Sequence, residues 1–95
     1  MFTSDEQILK LPSILKADGK ITGPGQFYED TGISKQHFSN IKNQESTGKV
    51  YHFTPAQIEN IATIYGINYN WIFATSDQIY NIQKVTKSVT ALQNK

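Results

Sequence analysis

The sequence has 95 residues, 38% hydrophobic and 12% aromatic, with nine lysines against eight acids for a formal charge of +1. This length fits one compact domain and excludes a two-domain enzyme, and the 18% of charged residues excludes a disordered polyelectrolyte. The absence of cysteine excludes disulfide scaffolds, thiolate zinc sites and thiol nucleophiles. We expect a cytoplasmic domain with no membrane segment, metal or cofactor, since no signal-peptide pattern or run of about 18 apolar residues occurs.

The first predicted helix lies near the beginning of the chain. Ser4 to Gln7 has the pattern of a capping box, and Ile8, Leu11 and Leu15 recur at helical spacing. Pro12 interrupts this pattern, and a proline inside a helix removes a backbone hydrogen bond. We therefore expect the helix to break or kink there.

Two short helices with a tight glycine turn between them are predicted next. Pro24 is placed to open the first, and Gly32 is placed to end it. Ser34 is the predicted cap of the second, with Phe38 as the inner partner of a hydrophobic staple. We place this second helix at about residues 34–43.

Two further helix starts follow the same pattern. Thr54 is a cap followed by Pro55, with Gln57 completing a capping box, and Gly66 supplies the left-handed residue that ends this helix. Asn68 is the predicted cap of the last helix. The sequence therefore predicts an all-α, five-helix domain over residues 1–80, and only the letters KVYHF before Thr54 suggest a brief extended segment.

The second of the two short helices has an unusual polar face. At about 100° per residue, Phe38 and Ile41 point inward, while amides and a hydroxyl point outward between two lysines. Two short helices joined by a glycine turn are typical of a helix-turn-helix, and Asn, Gln, Ser and Lys suit base edges and phosphates. The candidate DNA-binding residues are Lys35, Gln36, Ser39, Asn40, Lys42 and Asn43.

Residues 26–43, QFYEDTGISKQHFSNIKN, resemble the lambda-repressor-like (Xre-type) helix-turn-helix family, whose pattern is typically QxFAxxxGISxxxxSxIxxG. The later letters FTPAQIENIATIYGINYNWIF resemble the fourth and fifth helices of that family, so the likeness spans roughly residues 22–75. It implies a lambda-repressor-like fold and operator binding, commonly as a dimer. By position, it implies that Phe27, Ile33, Phe38 and Ile41 form the core of the motif.

Other candidate sites favour structural interpretations. Glu29 and Asp30 are adjacent and diverge on a helix, so they do not predict a carboxylate pair. His37 and His52 are far apart and lack the spacing of a metal site; we expect His37 to approach a phosphate and His52 to pack. Four aromatic residues could either stack on nucleic-acid bases or pack in the core. Helical spacing favours the core for all four, which are Phe53, Tyr65, Trp71 and Phe73.

The last fifteen residues, 81–95, are predicted to form a tail. Their net charge is +3, compared with −2 for residues 1–33, +2 for 34–52 and −2 for 53–80. Self-association, packing on the domain and disorder all remain open, and the heptad-like spacing of the apolar residues favours a dimerisation helix. These apolar residues are Ile82, Val85, Val89 and Leu92.

The sequence thus predicts a DNA-binding, repressor-like transcriptional regulator. We expect double-stranded DNA and a second copy of the chain as partners, with no enzymatic activity and no small-molecule substrate. The alternative is a protein-interaction module, such as an antitoxin or adaptor, that uses the same scaffold without binding DNA.

Overall fold

The computed structural model describes residues 1–81, and its fold is all-helical. One helix more than the five predicted lies in this range, because the segment after the third helix contains a single helical turn. The described helices are α1 (Thr3–Ala17), α2 (Pro24–Thr31), α3 (Lys35–Lys42), α4 (Gln44–Thr47), α5 (Pro55–Tyr65) and α6 (Tyr69–Ile72).

Local capping signals place three of the helix starts as predicted. The Ser34 hydroxyl accepts a hydrogen bond from the His37 N–H at 3.0 Å. Thr54 and Gln57 form both bonds of a capping box, and the side chain of Asn68 caps α6. These bonds join groups within three residues of each other, so the short-range sequence is sufficient to specify them.

The predicted start of α1 is wrong, and so is a break at Pro12. The helix begins at Thr3 after Phe2, without a side-chain cap, and it continues through Pro12 to Ala17. Ile8, Leu11 and Leu15 are fully buried on either side of the proline. The free energy gained by burying these side chains offsets the cost of the backbone hydrogen bond that proline removes.

One apolar core holds the described helices together. α1 packs against α2, α3 and α6, while α2 packs against α5. Phe27 is completely buried, and its ring lies parallel to that of Tyr65 with 5.9 Å between centroids. The buried hydrophobic residues are Ile8, Leu11, Leu15, Ile21, Phe27, Ile33, Phe38, Ile41, Phe53, Ile61, Ala62, Ile67, Trp71 and Ile72.

Phe73 is exposed, contrary to its predicted core position. It follows the last residue of α6, and 52% of its surface is accessible. Trp71 and Ile72 fill the core face of this helix, and the next position lies about 100° further round, away from the core. Ala74, with a φ of 61°, then turns the chain back towards α5.

Residues 74–81 return to the turn between α5 and α6. Ile67 and Tyr80 form an isolated antiparallel bridge, and the Asn81 N–H donates to Gly66 at 2.8 Å. The Tyr80 hydroxyl donates to Asp18 at 2.6 Å; partial burial, this hydrogen bond and the carboxylate charge raise the pKa of Tyr80 to about 12. Apart from this bridge, residues 1–81 contain no strand, so KVYHF is irregular.

Candidate functional site

α3 is fixed against the domain by its apolar side. Phe38 and Ile41 are buried, and the Phe38 ring meets those of Phe27 and Tyr28 edge-on, at centroid distances of 5.9 and 5.4 Å. Three residues, 32–34, join α2 to α3, and Gly32 adopts the left-handed conformation that ends α2. This packing leaves the opposite side of α3 facing away from the core.

The outer side of α3 carries the six predicted site residues. Lys35, Gln36, Lys42 and Asn43 are exposed, whereas Ser39 and Asn40 are half-buried. Asn43 is the residue between α3 and α4 rather than a residue inside the helix. The polar surface is therefore accessible, but its centre is less exposed than its ends.

Two amides on this surface are paired. Gln36 Nε2 donates to Asn40 Oδ1 at 2.8 Å, across one helical turn. Each amide carries one acceptor oxygen and a two-donor nitrogen, so the pair retains free capacity. Within residues 1–81, Gln36 Oε1 and Asn40 Nδ2 have no hydrogen-bond partner in the protein. The bonded pair therefore keeps one acceptor and one donor for a ligand, which the sequence alone did not predict.

The segment after α3 is held away from the outer face by Gln44. This side chain is buried, and its Nε2 donates to the carbonyl groups of Ile41 at 3.0 Å and Tyr51 at 2.9 Å. Gln44 thereby attaches the beginning of α4 and the chain before α5 to the C-terminal end of α3. The long loop consequently packs on the domain and leaves Gln36 and Asn43 uncovered.

The charge next to the amide pair is positive. Lys35 and Lys42 lie at the two ends of α3 and are exposed, and Lys49 is exposed beyond α4. Glu45, in the first turn of α4, is the acid nearest in sequence to this group. A neutral hydrogen-bonding strip bordered by ammonium groups suits a polyanion that also presents polar edges.

His37, which the sequence predicts to approach a phosphate, is half-buried and packs on the chain before α5. Its ring meets Phe53 edge-on at a centroid distance of 6.1 Å. Its Nε2 is buried without a hydrogen-bond partner in the described part of the chain. His37 thus belongs to the inner flank of α3.

A second polar cluster, which the sequence analysis missed, lies at the start of α1. Asp5 is fully buried, and its carboxylate accepts from the Phe53 N–H at 3.0 Å and lies 2.7 Å from His52 Nδ1. Phe2 stacks on the His52 ring at a centroid distance of 3.9 Å. The residues involved are almost fifty positions apart, so local spacing gives no signal for this contact.

Residues 1–81 contain neither a metal-binding cluster nor a membrane-spanning helix. There, no three His, Cys, Asp or Glu side chains are grouped in a way that suits a metal ion. None of the helices in the same range has both the length and the apolar character needed to cross a bilayer. The exposed face of α3 therefore remains the best-defined candidate site.

Comparisons with protein-family models, curated proteins and solved structures gave no match. The function proposed below therefore rests on the residues and geometry of this chain.

Proposed function

We propose that the protein is a sequence-specific DNA-binding regulator of the lambda-repressor-like type, with α3 as its recognition helix. The exposed amide pair on α3 is the main support for this proposal. α2 and α3 have the lengths and the three-residue connection expected of a helix-turn-helix. In such motifs the second helix enters the major groove, and the first crosses the DNA backbone.

The amide pair favours adenine. In the major groove adenine presents the N7 acceptor and the N6 amino donor. The free Asn40 Nδ2 and Gln36 Oε1 have the complementary donor and acceptor properties, and they are already held together in the unbound protein. The chain contains no arginine, which most often reads guanine. We therefore propose a preference for A·T-containing positions beneath Gln36, Asn40 and Asn43.

Lysines would supply the contacts with phosphate. Lys35, Lys42 and Lys49 are exposed in one stretch of the chain, but three cations give weak binding at physiological salt. A homodimer would double the number of contacts and gain from effective concentration. We accordingly propose a repressor-like dimer that acts in the cytoplasm on two half-sites about one helical turn apart.

Selection from random duplexes at two salt concentrations tests this function. We expect enrichment of two related half-sites with A·T pairs at their centres. If six lysines of a dimer neutralise six phosphates, the logarithm of the association constant should fall linearly with the logarithm of the salt concentration, with a slope of roughly −5. Lys35→Ala, which removes one cation per protomer, should reduce the slope by about 2 without changing the selected sequence.

Two results would contradict the proposal. Selected sites without A·T pairs at the contacted positions would exclude base recognition by the amides of α3. Failure to enrich any sequence, together with salt-insensitive binding of another protein, would instead support an antitoxin or adaptor module that docks through the same neutral face.

A further inference from the structure

An apolar groove lies on the side of the domain that holds Asp5 and His52. Its volume is about 860 Å³. Its walls come from the start of α1, the chain before α5, the first turn of α5, and α6. Three aromatic residues on its walls are largely open to solvent: Phe2 is 60% exposed, Tyr69 46% and Phe73 52%.

The groove has the composition of an interface. Large apolar side chains scattered singly on a surface are ordinary, whereas several aromatic residues around one concave region indicate a partner. Pro55, Ala56 and Ile58 of α5 also line the groove, and Glu59 adds a negative charge. These properties favour an apolar segment that also carries positive charge.

Residues 82–95 of the chain match these requirements, although they lie outside the described residues. Ile82, Val85, Val89 and Leu92 recur at spacings of three, four and three positions, a sequence pattern typical of an amphipathic helix with one apolar side. Lys84, Lys87 and Lys95 are the charged residues of this segment, and it contains no acid. Its sequence therefore pairs an apolar stripe with the charge opposite to that of Glu59.

The point where this segment begins favours a second copy as its source. Asn81 is bonded to Gly66, at the C-terminal end of α5, whereas the groove residues of α5 itself lie towards its N-terminal end. α5 has 11 residues and is about 16 Å long. The bridge to Ile67 is antiparallel, so residues 79–81 run away from α6, one wall of the groove. To reach the groove of their own chain, residues 82–95 would have to reverse this direction, whereas a second copy can present its groove in the direction in which the segment leaves the domain.

We propose that residues 82–95 of each protomer occupy the apolar groove of a second copy. Each copy offers one groove and one such segment, so a two-fold pair satisfies both and closes without further growth. This inference builds on the proposed dimer and specifies how it forms. The groove also contains Phe53, whose ring contacts His37 of α3, so the interface lies next to the inner flank of the recognition helix.

Disulfide trapping tests the exchange directly, because the natural sequence contains no cysteine. Ala56→Cys places one thiol in the groove, and Ala91→Cys places one beside Leu92. When the two single variants are mixed under mild oxidation, we expect a covalent heterodimer as the main product. Val50→Cys, at a residue that is 74% exposed and outside the groove walls, replaces Ala56→Cys in the control mixture.

Two trapping results would overturn the proposal. The first is a heterodimer yield no higher than in the Val50→Cys control mixture. The second is a double variant, Ala56→Cys with Ala91→Cys, that closes within a single chain at concentrations where the natural protein is dimeric. That product would show that the segment occupies its own groove.

Sedimentation equilibrium without DNA provides an independent test. Phe73→Asp in the groove and Val89→Asp in the segment should each weaken dimerisation at least about tenfold. Ser88→Asp adds the same charge beside the apolar stripe and should weaken the dimer much less than Val89→Asp does. Ile64→Asp alters an exposed apolar residue outside the groove and should leave the dimer unchanged. Mixing the Phe73→Asp and Val89→Asp variants should restore a heterodimer, because one intact groove then meets one intact segment.

These measurements separate the exchange from DNA recognition. If Phe73→Asp remains dimeric, the segments pair with each other and the proposed exchange is wrong. If all variants are monomeric after mixing, the groove does not hold the second copy. In both cases the binding of a duplex half-site by α3 can still be measured, so failure of the exchange differs from failure of DNA binding.

Discussion

Replacing Asn40 by aspartate is expected to weaken binding to the selected duplex at least about 100-fold. The substituted oxygen can still accept the hydrogen bond from Gln36 Nε2, so the local geometry of α3 is retained. The change removes the free Asn40 donor and places a carboxylate among phosphates and base acceptors. Electrostatic repulsion by the carboxylate and the loss of the base contact both weaken binding to the duplex.

Asn70→Asp is the matched control for this prediction. Asn70 is exposed on α6, away from α3, and the substitution changes the net charge by the same amount. Affinities of both variants should be measured by titration of a labelled duplex, with far-ultraviolet circular dichroism to verify helicity. Equal losses for the two variants would indicate a general charge effect, and an Asn40→Asp variant with natural affinity would exclude Asn40 from base readout.

Replacing Asp5 by alanine is expected to lower the free energy of unfolding by about 3 kcal/mol. Asp5 joins α1 to the chain before α5 through the Phe53 N–H and His52 Nδ1. Alanine would leave the Phe53 N–H without its acceptor in a buried position, and it would release the His52 ring that stacks on Phe2. The effect should therefore exceed that of an ordinary surface substitution.

Asp5→Asn and Asp77→Ala provide the controls for the Asp5 prediction. Asparagine retains an oxygen for the Phe53 N–H and should cost less than alanine. Asp77 is exposed and has no side-chain hydrogen bond among the described residues, so its loss should change stability by less than about 0.5 kcal/mol. Urea unfolding followed by Trp71 fluorescence measures all three variants. An Asp5→Ala variant as stable as Asp77→Ala would show that the buried contact contributes little.

The sequence predicted features that depend on neighbouring residues. Ser34, Thr54 and Asn68 cap their helices through bonds that span two or three positions. The inward positions of Phe38 and Ile41 followed from helical periodicity, and both residues are buried. These predictions succeeded because the donor, the acceptor and the period all lie within a few residues.

The failures arose where distant contacts determine the structure. Ser4 and its neighbours resemble a capping box, but Asp5 bonds to residues near position 53, and α1 starts earlier. Pro12 is tolerated because the core holds both sides of α1. Phe73 has a core-like spacing, but α6 ends before it, and Trp71 and Ile72 already fill the inner face.

The candidate site was predicted only in part. Periodicity identified the outward residues of α3, but it did not reveal the bond between Gln36 and Asn40, which depends on side-chain conformations. It also gave no reason to expect that Gln44 would hold the loop through two backbone carbonyls. Side-chain hydrogen bonds of this kind require coordinates, because several rotamers are compatible with the same sequence.

The proposed function requires that the outer face of α3 contact DNA bases. Nuclear magnetic resonance titration of the labelled protein with the selected duplex follows this contact residue by residue, because side-chain amides give separate signals. We expect the largest shifts at the amides of Gln36, Asn40 and Asn43, with smaller changes near Lys35 and Lys42. Unchanged α3 amide signals in a saturated complex, with the shifts confined to other helices, would contradict base contact by α3.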